Sequence, residues 1–114
     1  MKLGTLKEGG RDGTLIVVSR DLSRAVTALD VAPTLQRVLE GWSGLAPRLQ
    51  ALSERLNAGD APDAFALDTA KLAAPLPRAY QWADGSAYVV HVELVRKARG
   101  VEMPPSFWTD PLMY

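Results

Sequence analysis

Thr14-Leu15-Ile16-Val17-Val18 is the stretch on which the fold turns. It is apolar after its first residue, and all but Leu15 are β-branched. Side chains of that kind suit a pleated strand better than a helix. Just upstream, Glu8-Gly9-Gly10-Arg11-Asp12-Gly13 is dense in turn formers. Before that, residues 2–7 alternate weakly, with Leu3 and Leu6 apolar. Two strands around a glycine-rich loop read as a hairpin. Downstream, Ser19-Arg20-Asp21-Leu22-Ser23 is a second polar break, and residues 24–29 (RAVTAL) read as a third short strand. The first thirty residues are therefore expected to form a small antiparallel meander.

The period then changes. Leu35, Val38, Leu39, Trp42, Leu45, Leu49, Leu52 and Leu56 recur every three or four residues, an apolar stripe on one helical face. Asp30 is the expected cap, and Pro33 suits a first turn. Gly41, Gly44 and Pro47 interrupt the pattern. A proline lacks the amide hydrogen and crowds the preceding turn, so a kink or a break into two helices is expected at Pro47. Asn57-Ala58-Gly59 is the expected stop. The stripe reads first as core laid over the meander; a partner or dimer face is the other reading.

Residues 60–78 are rich in Pro and Ala and lose all periodicity. They form a linker or an extended strap along a surface, with a domain boundary expected near Leu76. A short helix is expected from Ser86 or Ala87 to about Lys97, and residues 102–106 turn into an aromatic tail. The expected class is α+β: a small antiparallel β-meander packed by one kinked helix, or two, then a strap and a short helix.

At 114 residues the chain has about one domain's worth of sequence. Its 13 basic residues cancel its 13 acidic ones, so the basic field that nucleic acid or an anionic membrane surface requires is missing. No apolar run is long enough to span a bilayer. The N-terminus lacks a signal-peptide core, and a cytoplasmic location is expected. Cysteine is absent, which removes disulfides, thiolate zinc sites and cysteine nucleophiles. All 3 Trp lie after residue 41, and Phe107, Trp108, Met113 and Tyr114 crowd the last eight positions. A tail that apolar reads as one awaiting a packing partner.

Few residues offer chemistry. His91 is the single histidine. His91-Val92-Glu93 echoes the H-x-E of zinc deaminases, but the cysteine ligands those need are missing. On a helix His91 and Glu93 point in different directions. The Gly9–Gly13 loop precedes a strand instead of a helix, so it is a hairpin turn and no phosphate cradle. Arg96-Lys97-Ala98-Arg99 is a basic cluster, either a solvated helix end or an anion-binding group. No serine sits in a G-x-S-x-G setting. Asp84 is a helix cap or a single ligand for a hard cation such as Mg²⁺ or Ca²⁺.

Residues 75–88 (PLPRAYQWADGSAY), continuing through 91–100 (HVELVRKARG), resemble bacterial members of the fumarylacetoacetate hydrolase family. The tail 107–114 (FWTDPLMY) extends the likeness, and so do the opening residues 1–22. The resemblance covers nearly the whole chain and is most specific over residues 75–114. It implies a small N-terminal domain, here residues 1–76, followed by a larger β-rich catalytic domain that would begin at residues 77–114. It implies hydrolysis of a carbon–carbon bond in fumarylacetoacetate or a related diketo acid, the last step of tyrosine breakdown. It implies a Mg²⁺ or Ca²⁺ that chelates the substrate's dioxo group and stabilises the developing oxyanion.

Residue by residue, the resemblance gives His91 the role of the water-activating base. It makes Asp84 a metal ligand and Tyr114 a substrate contact. It also calls for a substrate-binding arginine after the histidine. Arg96 fits counting back from Met103-Pro104, and Arg99 fits better counting forward from His91. Tyr88 and Glu93 match the local pattern without a firm role.

The family's other acidic ligands include a Glu-x-Glu pair beyond the Pro-Leu-Met-Tyr motif, and no Glu-x-Glu occurs in these residues. The chain is thus expected to be an N-terminal portion, inactive alone and without bound metal. Its expected partners are a C-terminal catalytic domain, a small diketo-acid substrate and a second copy in a homodimer. The alternatives are a stand-alone protein-interaction module and a portion of a family isomerase or decarboxylase.

Overall fold

A computed structural model describes residues 1–86, 88–110 and 112–113, with only the backbone of 86, 112 and 113. It has two units, Met1–Ala79 and Tyr80–Tyr114.

The first unit is built on an antiparallel sheet. Strands β1 (Lys2–Leu6), β2 (Thr14–Val18) and β3 (Arg24–Thr27) form the expected meander. The register pairs Gly4 with Ile16 and Val17 with Val26. A fourth strand, β4 (Phe65–Ala66), joins the free edge of β3, giving the order β1-β2-β3-β4. Strand β2 is central, and its last four residues are buried. That explains its unbroken apolar run, since a strand covered on both faces has no solvent side to alternate with.

One face of the sheet carries the helices. Leu15, Val17, Val26 and Ala28 pack with Val38, Leu49 and Leu56, all buried. Helix α1 spans Leu35–Glu40 and α2 spans Trp42–Ala58. Of the apolar stripe, Val38, Leu49 and Leu56 are buried and Leu35, Leu45 and Leu52 pack beside them, while Leu39 and Trp42 are exposed. The stripe is therefore core along most of its length.

Two helix details differ from expectation. The cap is Thr34, whose hydroxyl accepts from the Arg37 amide at 3.2 Å, and Asp30 has no such role. The reason lies in the sheet. The Ala28 amide donates to the Leu15 carbonyl and the Leu15 amide to the Pro33 carbonyl, both at 3.1 Å. Ala28 and Pro33 are both bonded to Leu15 of β2 and residues between them turn back on Ala28, so the helix starts after them. There are two helices, but the break falls at Gly41 and not at Pro47. Pro47 lies inside α2, where only the Ser43 carbonyl loses its usual partner. Ser43 is exposed, so water can satisfy that carbonyl. The stop is as expected: Gly59 takes φ +83° and the Asp60 amide reaches back to the Arg55 carbonyl at 2.9 Å.

Residues 60–78 are a strap and not a loose linker. From β4 on one sheet edge the strap runs to β1 on the other. Phe65, Leu67 and Leu72 pack on Leu6, Ile16, Val18 and Ala25, the sheet face opposite the helices. A one-turn 3₁₀ helix, Thr69–Lys71, is capped by Asp68. Leu72 then bridges Leu6, and the Ala73 amide donates to the Thr5 carbonyl at 2.8 Å.

The second unit holds a short ladder, β5 (Gly85–Ser86) with β6 (Leu112–Met113), helix α3 (Val89–Ala98) and a 3₁₀ turn, Pro105–Trp108. Helix α3 begins after Ser86, which β5 takes instead. Val92 and Phe107 are its buried residues among those described.

Candidate functional site

The second unit contains the residues with chemistry. Asp84 is exposed and directly precedes the rung Gly85↔Met113 of the β5–β6 ladder. It does not cap α3; the residue before that helix is Tyr88, whose side chain makes no capping bond. His91 is the third residue of α3 and is exposed. Its neighbour Val92 turns inward, and Glu93 is exposed. Helical spacing sets the His91 and Glu93 side chains about 200° apart around the axis, so they cannot act as a pair.

The two candidate arginines have different local surroundings. Arg96 is half-buried, and its Nη1 donates to the Glu102 carbonyl at 3.0 Å. Its own carbonyl accepts from the Val101 amide at 3.0 Å, and Gly100 makes the turn at φ +68°. Arg96 therefore helps hold the chain that returns from α3. Arg99 is the exposed C-cap residue of α3, about 12 Å along the axis from His91 by helical rise. Tyr114 lies outside the described residues.

A hard cation such as Mg²⁺ or Ca²⁺ needs several oxygen ligands around it. Among the described residues no group of three or more His, Asp or Glu side chains converges on one point. Asp84 could supply one ligand.

The second unit also leaves large side chains in solvent. Tyr80 and Trp82 are each 81% exposed and Tyr88 is 83% exposed. Val90 and Leu94 add an exposed pair one turn apart on α3. Trp108 packs edge-on to Phe107, with ring centroids 6.5 Å apart.

The first unit offers two ordered polar arrangements. In the β2–β3 turn, Asp21 accepts from the Ser19 hydroxyl at 2.6 Å and from the amide and hydroxyl of Ser23. Those bonds, led by the Ser19 hydroxyl, hold the Asp21 carboxyl down to a pKa of about 2. Across the unit, Arg78 binds Asp12 of the first hairpin through both carboxylate oxygens. The guanidinium lowers the Asp12 carboxyl below its ordinary value. Sequence reasoning missed that pair, because 66 residues separate the partners.

The Fumarylacetoacetase N-terminal domain 2 family matches residues 1–78.

The chain belongs to the fumarylacetoacetase N-terminal domain family.

The family's span and the sheet-and-helix unit end within one residue of each other, at 78 and 79. The meander, the two helices and the strap are therefore the fumarylacetoacetase N-terminal domain of this chain, and it is a domain of a hydrolase family. No curated protein matches the chain. No helix among the described residues is long and apolar enough to cross a membrane.

Proposed function

We propose that this chain is the N-terminal portion of a metal-dependent hydrolase that cleaves a carbon–carbon bond in fumarylacetoacetate or a similar diketo acid. The observation that carries the reading is the family match over residues 1–78, which identifies a fumarylacetoacetase N-terminal domain. The second unit follows directly, and the resemblance of residues 75–114 to the start of a catalytic domain extends the reading.

In this account the first unit is a scaffold. Its chemistry-bearing side chains, Asp12, Asp21 and Arg78, are engaged in internal bonds. The second unit presents His91 in solvent, where the imidazole can take a proton from water as the water adds to a substrate carbonyl. Asp84 would be one ligand of a Mg²⁺ or Ca²⁺ whose other ligands come from a catalytic segment. When bound, that cation would stabilise the enolate that leaves. Tyr114 and an arginine would hold the substrate carboxylate. Arg99 is favoured over Arg96 for that role, because Arg96 already serves the Glu102 carbonyl. A cytoplasmic location and a homodimer complete the proposal.

A second reading has one observation behind it. The exposure of Tyr80, Trp82 and Tyr88 suits an interaction module as well as the opening of a larger domain.

The experiment is to assay fumarylacetoacetate hydrolysis by these 114 residues continued by a catalytic segment that supplies a Glu-x-Glu pair. The assay is run with Mg²⁺ and again after chelation. Turnover that requires the cation supports the reading. Stable association with another protein and no turnover supports the interaction module.

A further inference from the structure

We infer that Asp12 and Arg78 form a clasp that pins the end of the strap to the first hairpin, holding in place the last residues before the second unit begins. The inference rests on the first unit's geometry and not on the catalytic reading.

Four contacts line up along the strap. The Lys7 amide donates to the Lys71 carbonyl at 2.9 Å, and the Ala73 amide to the Thr5 carbonyl at 2.8 Å. The Thr5 hydroxyl donates to the Pro75 carbonyl at 2.7 Å. The guanidinium of Arg78 then closes the series, with Nε 2.7 Å from Asp12 Oδ1 and Nη2 on Oδ2. The segment Pro75-Leu76-Pro77 offers few backbone donors of its own. Two of its three residues lack an amide hydrogen, and Pro75 and Pro77 are exposed.

The receiving end is rigid enough to act as an anchor. Gly13, next to Asp12, holds φ +68°, and a Cβ there would sit 2.3 Å from the Leu6 carbonyl oxygen. The hairpin loop is thus pressed against β1. A fork of two parallel hydrogen bonds adds direction to the attraction, which a point charge would not.

The pair is exposed to water, with 52% and 34% of the two side-chain surfaces accessible. An exposed pair is worth little to global stability and weakens with salt. Its effect should therefore be local: it controls how often residues 73–78 lift off, and leaves the sheet alone. The bond after Arg78 is a trypsin site whose recognition requires the guanidinium that Asp12 occupies.

The test uses the 114-residue chain. Hydrogen exchange at the Ala73 amide and tryptic cleavage between Arg78 and Ala79 are compared in the wild type and in Asp12→Asn. Both should accelerate in the variant, on the order of twofold to fivefold, while the Leu15 and Val17 amides keep their rates. Arg78→Lys, which retains the charge but loses the fork, should show the same acceleration of exchange at Ala73. In the wild type, 0.5 M NaCl should reproduce part of it. Unchanged exchange at Ala73 in both variants overturns the inference. So does an equal acceleration at Ala73, Leu15 and Val17, because the pair would then act on the whole unit.

Discussion

The hydroxyl of Thr5 donates to the carbonyl of Pro75 at 2.7 Å, joining residues 70 positions apart. Thr5 is in the edge strand and almost wholly buried, and Pro75 is near the end of the strap. This bond, with the Ala73–Thr5 backbone bond beside it, turns a Pro/Ala-rich segment into part of the fold. Thr5→Val keeps the shape of the side chain and removes the donor. We expect a loss of about 1 kcal/mol in urea unfolding. Unchanged stability would mean that the strap is held elsewhere.

The apolar stripe divides by burial. Leu49 is fully buried, whereas Leu39 is 48% exposed. Leu49→Ala leaves a cavity between α2 and the sheet and should cost about 2–5 kcal/mol. Leu39→Ala should cost less than about 1 kcal/mol. Thermal melts of the two variants followed by circular dichroism separate them. Equal costs would place Leu39 in a contact that the first unit does not show.

Pro47 sits six residues into a continuous helix and is exposed. Replacing it restores an amide donor for the Ser43 carbonyl. Pro47→Ala should therefore stabilise the first unit by about 1–2 kcal/mol, less than the full interior value because a proline also limits the unfolded chain. A rise in melting temperature checks it; a fall would show that Pro47 is needed for the approach of α2 to the sheet.

Asp21 gives the pH dependence. Its folded carboxyl titrates near 2 and its ordinary value is 3.8. The unfolded chain therefore takes up the proton first as pH falls, and the stabilising contribution is present above about 4 and lost as pH drops through about 2. Asp21→Asn should be less stable than wild type at pH 5, and the gap should close between pH 4 and pH 2. A gap that stays constant across that window would mean that the charge on Asp21 makes no contribution to stability.

What could be read from the sequence follows from range. The meander, the hairpin loop and the Gly59 stop are local, set by β-branched runs and turn residues within a few positions of one another. The break at Gly41 and the cap at Thr34 were not legible. The late start at Thr34 goes with Pro33 giving its carbonyl to Leu15, a contact between distant segments. The Asp12–Arg78 clasp and the path of the strap are long-range for the same reason. In the second unit His91 and Asp84 stood out by residue type, but the local engagement of Arg96 with Glu102 appears only in three dimensions.

His91 is the general base we propose for the second unit, and its replacement is the decisive experiment. His91→Ala and the wild type are each joined to the same catalytic segment and assayed with fumarylacetoacetate and Mg²⁺. Intact folding is checked by circular dichroism. In the variant kcat should fall by about 10²–10⁴ with little change in KM. Turnover within a few-fold of wild type would rule out His91 as that base.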